Sequence, residues 1–184
     1  MGEINLLAGY PKSRRPIDER GRAITEGHRE KARQFGEEYF DGDRLYGYGG
    51  FYYNPRFWRG VVKDLLSHYE GVTSVLDVGC AKGYMLYDFK QTNACPNMAG
   101  IDISEYAIEQ SFPDIRKFLR VGNAKDLPYP DDSFDLVVSV NTIHNLPLGD
   151  CERSIREIGR VSRKHSFITV DAWRNKEEEE KQWE

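Results

Sequence analysis

Cysteine is scarce in this 184-residue chain, and its three copies, Cys80, Cys95 and Cys151, form no CxxC pair. That excludes a disulfide framework and a thiolate zinc site, and it fits a reducing cytoplasm. No stretch approaches the roughly 20 apolar residues of a membrane-spanning helix, so no membrane role is expected. The opening MGEINLLAGYPKSRRP lacks the apolar core of a signal peptide, and Leu6 stands where a myristoylation motif needs Ser or Thr. Basic charge is not in excess either, since 26 Lys and Arg face 30 Asp and Glu for a net charge of −4. A nucleic-acid backbone would find no global positive field here. What the chain does have is 39% hydrophobic and 12% aromatic content, enough for one core in one globular unit.

Three regions follow one another. In the first, up to about residue 55, Ile24, His28, Ala32, Phe35 and Tyr39 recur every three or four residues. This spacing predicts one amphipathic helix, stopped by Asp41-Gly42. Upstream, Lys12, Arg14 and Arg15 read as a solvated basic tail. Downstream, YGYGGFYYNPRFW (46–58) combines loosened backbone with ring side chains, a loop suited to lie against an apolar surface. A second helix is predicted from Trp58, Val61, Val62, Leu65, Leu66 and Tyr69, ending at Gly71.

From Thr73 onward, short apolar runs alternate with helical patterns. Strands are predicted at 74–78, 98–103, 117–121, 134–140 and 166–172, and helices at 84–90, 105–110 and 151–161. Ser104 and Asp150 are the expected N-caps of the last two helices. Right-handed crossovers then give an α/β fold, a Rossmann-like, doubly wound, mostly parallel sheet with helices on both faces and an N-terminal helical and aromatic-loop extension. The expected division is a cover over residues 1–55 and an α/β domain over 56–184. Glu177 to Glu180 should form a solvated end.

Ligands of such sheets bind outside the carboxyl ends of the strands, so glycines and acids there carry the functional reading. In VLDVGCAKGY, Asp77 ends a strand, Gly79 makes a turn and Gly83 opens a helix. Nineteen residues beyond Gly83, Asp102 ends the next strand, where a carboxylate can accept from ribose hydroxyls. The pairing points to a nucleoside-containing ligand. An acid such as Asp77 would repel the pyrophosphate of a dinucleotide, and it suits a ligand with an amino group and a sulfonium.

These motifs resemble the class I S-adenosylmethionine-dependent methyltransferases over about residues 72–172. VLDVGCAKGY looks like the family's first motif, GIDIS (100–104) like its second, and GNAKDLPYPDDSFDLVVS (122–139) like its adenine-holding stretch and fourth strand. The resemblance implies S-adenosyl-L-methionine as cofactor, a small-molecule methyl acceptor and no metal. It places Asp77 and the backbone at Gly79, Ala81 and Gly83 at the methionine end, and Asp102 at the ribose. Asn123 and the Ala124 amide fall at the adenine edge, Ile103 against its face, and Asn141 beside the cofactor. Two positions depart from the pattern: Ala81 replaces the central glycine, and Asn123 replaces an acid.

In NTIHNLP (141–147), His144 is the candidate general base, with Asn141 and Asn145 able to position a polar acceptor. Lys82 is expected either to meet the cofactor carboxylate or to be solvated. The aromatic loop is expected either to close over the crevice or to serve as an apron over the core. Family sheets carry two further strands after the fifth, so truncation or compensation by the N-terminal segments is expected, with a homodimer through exposed edges as one outcome. Two other readings stay open, an NAD-dependent oxidoreductase, disfavoured by Asp77 and the lack of a Tyr-xxx-Lys pair, and a non-catalytic nucleoside-binding module.

Overall fold

Five parallel strands in the order β3-β2-β1-β4-β5 organise the chain, whose computed structural model describes residues 4–11, 23–170 and 175–176. The strands are β1 (Ser74–Val78), β2 (Asn97–Asp102), β3 (Leu119–Val121), β4 (Phe134–Val140) and β5 (Ser162–Thr169). The chain steps outward from β1 to β2 and β3, then crosses back to β4 on the other side. Strand order therefore reverses between β1 and β4, which opens a crevice beyond their carboxyl ends.

β1 and β4 are mostly apolar and are buried along almost their whole length because both of their faces are covered. Alternate side chains of β4 feed two cores, as the strand period of two requires. Leu136 and Val138 pack with Val61, Val62, Leu65, Leu86 and Phe89. Val137 packs with Leu76, Ile143, Ile158 and Val161. The helices that supply these residues are α3 (Pro55–His68), α4 (Tyr84–Thr92) and α7 (Leu148–Val161). Smaller helices precede or link them: α1 (Glu26–Ala32), α2 (Glu37–Phe40), α5 (Glu105–Glu109), α6 (Pro113–Arg116) and a 3-10 turn at Ile143–Asn145. No helix among the described residues is long and apolar enough to cross a membrane.

Three expectations need correcting. The single helix read from Ile24 to Tyr39 is two, α1 and α2, because Phe35 sits in the left-handed region at φ +49° and Gly36 starts a new N-cap. Asp150 does not cap α7. The helix begins one turn earlier, after Pro147, whose carbonyl accepts from the Asp150 and Cys151 amides at 2.9 Å each. Asp150 instead lies in the first turn, where a negative charge suits the helix dipole, and holds Lys125 at 2.7 Å. β5 starts at Ser162, directly after α7, four residues earlier than predicted. Residues 171–172 of that prediction, the basic cluster at Lys12, Arg14 and Arg15, and Glu177 to Glu180 lie outside the described residues.

Ser104 does cap α5, accepting from the Ala107 amide at 3.0 Å, and its hydroxyl donates to the Phe35 carbonyl. One side chain thus ties the break between α1 and α2 to the rim of the sheet. Ser104→Ala should cost about 1 kcal/mol, seen as a melting temperature lower by about 2 to 4 °C. An unchanged melting curve would mean that this tie contributes nothing.

Candidate functional site

The loop from Gly79 to Gly83 is bent by backbone that few side chains tolerate. Gly79 lies at φ +84°, and a Cβ there would run into the Thr142 side chain. Gly83 lies at φ +72°, and a Cβ would come within 2.8 Å of both Ile115 and Leu119. Ala81, the departure from the family pattern, keeps the left-handed conformation at φ +48°. Its methyl group carries strain of about 1 kcal/mol that a glycine would not. The loop is held by hydrogen bonds rather than by that choice of residue. The Gly79 and Cys80 amides donate to the Ile101 carbonyl at 2.8 and 3.1 Å. The Ala81 amide donates to Asp102 Oδ2 at 2.7 Å, while the Ser104 amide donates to Oδ1 at 2.8 Å.

The two acids at the rim sit in different electrostatic settings. Burial raises the Asp102 carboxyl above the usual carboxylate range, and the Ser104 and Ala81 amides oppose that rise. Asp77 is 3% exposed, and among the described residues no donor reaches its carboxyl group. Burial, helped by the nearby Asp102 charge, pushes it up to about 8. Such a carboxyl gains most from an incoming cation.

Two cavities meet at this loop. The smaller, of about 130 Å³, is walled by Ile101, Asp102, Ile103, Gly122, Asn123 and Ala124, together with Phe35, Tyr39 and Asn145. The larger, of about 810 Å³, runs from Asp77, Cys80 and Met85 to the aromatic segment and the start of α3. Tyr48, Gly79, Ala81, Asn141 and Thr142 belong to both.

The structure therefore brings together Asp77, Gly79, Ala81, Asp102, Ile103, Asn123, Ala124 and Asn141. Ile103 is 53% exposed, a flat apolar surface at the rim. Asn123 spends one acceptor position on its own turn, its Oδ1 accepting from the Lys125 amide at 3.1 Å. Asn141, at φ +51°, is braced by Thr169, whose hydroxyl donates to Asn141 Oδ1 at 3.0 Å. Gly83 stands behind the loop as the N-cap of α4. His144 lines neither cavity; it is half-buried on the 3-10 turn, with Nδ1 withdrawn from solvent. No cluster of metal-ligating side chains occurs among the described residues.

Lys82 corrects the expectation made for it. Its side chain is buried, and Nζ binds both oxygens of Asp41 at 2.8 and 2.6 Å and the Phe51 carbonyl at 2.9 Å. Asp41 also accepts from the Phe51 amide at 3.0 Å and the Tyr106 hydroxyl at 2.7 Å. Burial pushes the Asp41 carboxyl up, but the bonds from Lys82 and Tyr106 hold it below its ordinary value. Phe51 stacks on Tyr84 with centroids 5.2 Å apart, and Tyr48 meets Phe51 in a tilted contact at 4.5 Å. The aromatic segment is thus pinned to the glycine loop while its rings wall the larger cavity. Sequence reasoning missed Asp41 as a partner, and Asn54, Arg56, Tyr84 and Thr142 as wall residues.

A parallel 3-2-1-4-5 sheet, with acids near the carboxyl ends of its first two strands and a glycine turn between them, defines a Rossmann-like α/β protein. The family model described as "Methyltransferase domain" matches residues 76–170, just over half of the chain, and the chain belongs to that family. It is 33% identical over 96 residues to 27-O-demethylrifamycin SV methyltransferase of Amycolatopsis mediterranei, covering 48% of this chain and 34% of that one. It is 32% identical over 116 residues to demethylmenaquinone methyltransferase of Symbiobacterium thermophilum, covering 58% and 45%. The chain spans less than half the length of these curated relatives. A crystal structure of a Pyrococcus horikoshii protein shares the fold, with a TM-score of 0.51 at 19% identity over 79% of this chain and 66% of that one.

Proposed function

We propose that this chain is an S-adenosyl-L-methionine-dependent methyltransferase that acts on a small-molecule acceptor. The observation that carries the reading is the buried Asp77 carboxyl, without a donor among the described residues, beside the amide-braced Asp102. This donor set fits the cofactor, because one acid can take a cationic amine and the other a ribose diol, and neither suits a pyrophosphate. Asp77 orients the amino group, Asp102 holds the ribose hydroxyls, and Asn123 with the Ala124 amide reads the adenine edge against Ile103. The loop backbone at Gly79, Ala81 and Gly83 and the turn at Asn141 set how deeply the ligand sits.

When bound, the cofactor supplies a methyl carbon on a sulfonium, and transfer to an acceptor lone pair returns the C–S electron pair to sulfur as a neutral thioether. The chain's part is then alignment and the exclusion of water by the ring-walled cavity. Tyr48, which borders both cavities, can set a ring face toward a cation at their junction. His144 lies outside both linings, so this reading gives its imidazole no part in the transfer.

Calorimetric titration with S-adenosyl-L-methionine, S-adenosylhomocysteine and NAD tests the reading. The two adenosyl compounds should bind one to one and NAD should not, and Asp102→Ala should weaken both by about tenfold or more through its lost charged hydrogen bonds. NAD binding alone would return the oxidoreductase. Binding without labelled-methyl transfer over a broad acceptor panel would favour a nucleoside-binding module.

A further inference from the structure

The larger cavity has an uneven chemistry that the nucleoside does not use up. Of its nineteen described lining residues seven are aromatic, and its charged side chains are Asp77 and Arg56. Arg56 lies in the first turn of α3, where Pro55 starts the helix and Asn54 Oδ1 accepts from the Arg56 amide at 3.1 Å. Its guanidinium lies 5.6 Å from the centroid of the Phe57 ring. Among the described residues no carboxylate pairs with it, whereas Arg59 on the same helix reaches Asp88 at 3.9 Å. Asn54, Arg56, Phe57 and Trp58 line the larger cavity and take no part in the smaller one, where Asp102 and the adenine residues lie.

On the methyl-transfer reading, we infer that the acceptor is a flat aromatic molecule bearing an anionic group, its ring held among the cavity's aromatic side chains and its anion bound by Arg56. The volume of about 810 Å³ is of the size that holds a drug-sized ligand, and the amino-acid arm of the nucleoside fills only the part beside Asp77. Aromatic walls favour ring faces through offset and edge contacts. An arginine stacked on a ring and lacking a protein acid presents its planar fork to a carboxylate or similar anion. The nucleoside's own carboxylate is the other anion that could reach this cavity, so the test separates the two.

The full chain is titrated with 2-naphthoate, 2-naphthamide and decanoate, with and without saturating S-adenosylhomocysteine, in wild type, Arg56→Gln and Arg56→Lys. The expected result is naphthoate binding about tenfold tighter than either the neutral amide or the non-aromatic anion. Arg56→Gln should erase the preference for naphthoate over naphthamide, Arg56→Lys should restore part of it, and S-adenosylhomocysteine affinity should stay within about twofold. Equal binding of the three probes overturns the inference. So does an Arg56→Gln variant that loses S-adenosylhomocysteine affinity but binds 5′-methylthioadenosine, which lacks the amino-acid arm, like wild type; Arg56 would then serve the nucleoside. Failure of wild type to bind S-adenosylhomocysteine overturns the methyl-transfer reading and this inference with it, whereas tight binding without a naphthoate preference overturns this inference alone.

Discussion

Asp77→Asn is expected to make the ligand-free protein melt about 5 to 10 °C higher at pH 8 and to weaken S-adenosyl-L-methionine binding by about a hundredfold. Both effects come from the same buried carboxyl. Its folded-state value is about 8 against an ordinary 3.8. Between these limits the folded chain retains a proton that the unfolded chain has released. The stabilisation from this group is therefore complete below about pH 4 and is lost as pH rises towards 8. At pH 8 that amounts to roughly 5 kcal/mol, part of which a neutral amide of the same shape avoids. The amide cannot offer the cofactor's ammonium a negative charge, so affinity falls while stability rises. Melting curves at pH 5 and 8 check the first half, with the gap between variant and wild type widening at the higher pH. A variant that melts no higher than wild type at pH 8 would show that the carboxyl is already satisfied in the folded protein.

Breaking the Lys82–Asp41 pair should have the other large effect. Lys82 is 6% exposed at its side chain and Asp41 31%, at a separation of 2.6 Å. Asp41→Ala would leave an ammonium buried with the Phe51 carbonyl as its one remaining hydrogen-bond partner among the described residues, a loss of about 3 kcal/mol. Removing both charges, as in Asp41→Ala with Lys82→Met, should recover much of that loss, since the penalty lies in the uncompensated ion. Urea unfolding of the two single variants and the double gives the coupling directly. Strictly additive losses would deny that the pair acts as a unit. Limited proteolysis offers an independent readout, because the single variant should expose the segment from Tyr46 to Tyr53 to cleavage sooner than wild type does.

The parts of the fold most legible in the sequence were those where one physical demand acted alone. β1 and β4 were bounded correctly because strands covered on both faces must be mostly apolar. Asp77 and Asp102 could be located because strand ends at a switch point face the crevice whatever the rest of the chain does. The break at Phe35 was hidden, since apolar spacing continues through it and a phenylalanine at positive φ leaves no compositional trace. β5 was read short because its first residues, Ser162 to His165, form a largely exposed edge whose polar character resembles a loop. Lys82 looked like a surface lysine because its partner lies 41 residues away in sequence. Arg56 and Thr142 reach the site through packing of α3 and the turn after β4, and no local pattern marks such approaches.

Because one set of five residues walls both cavities, any shift of those residues on filling one compartment also alters the boundary of the other. Thermodynamic linkage makes that influence mutual: whatever factor by which the adenosyl compound strengthens the hold on a second molecule, the second molecule must strengthen the hold on the adenosyl compound equally.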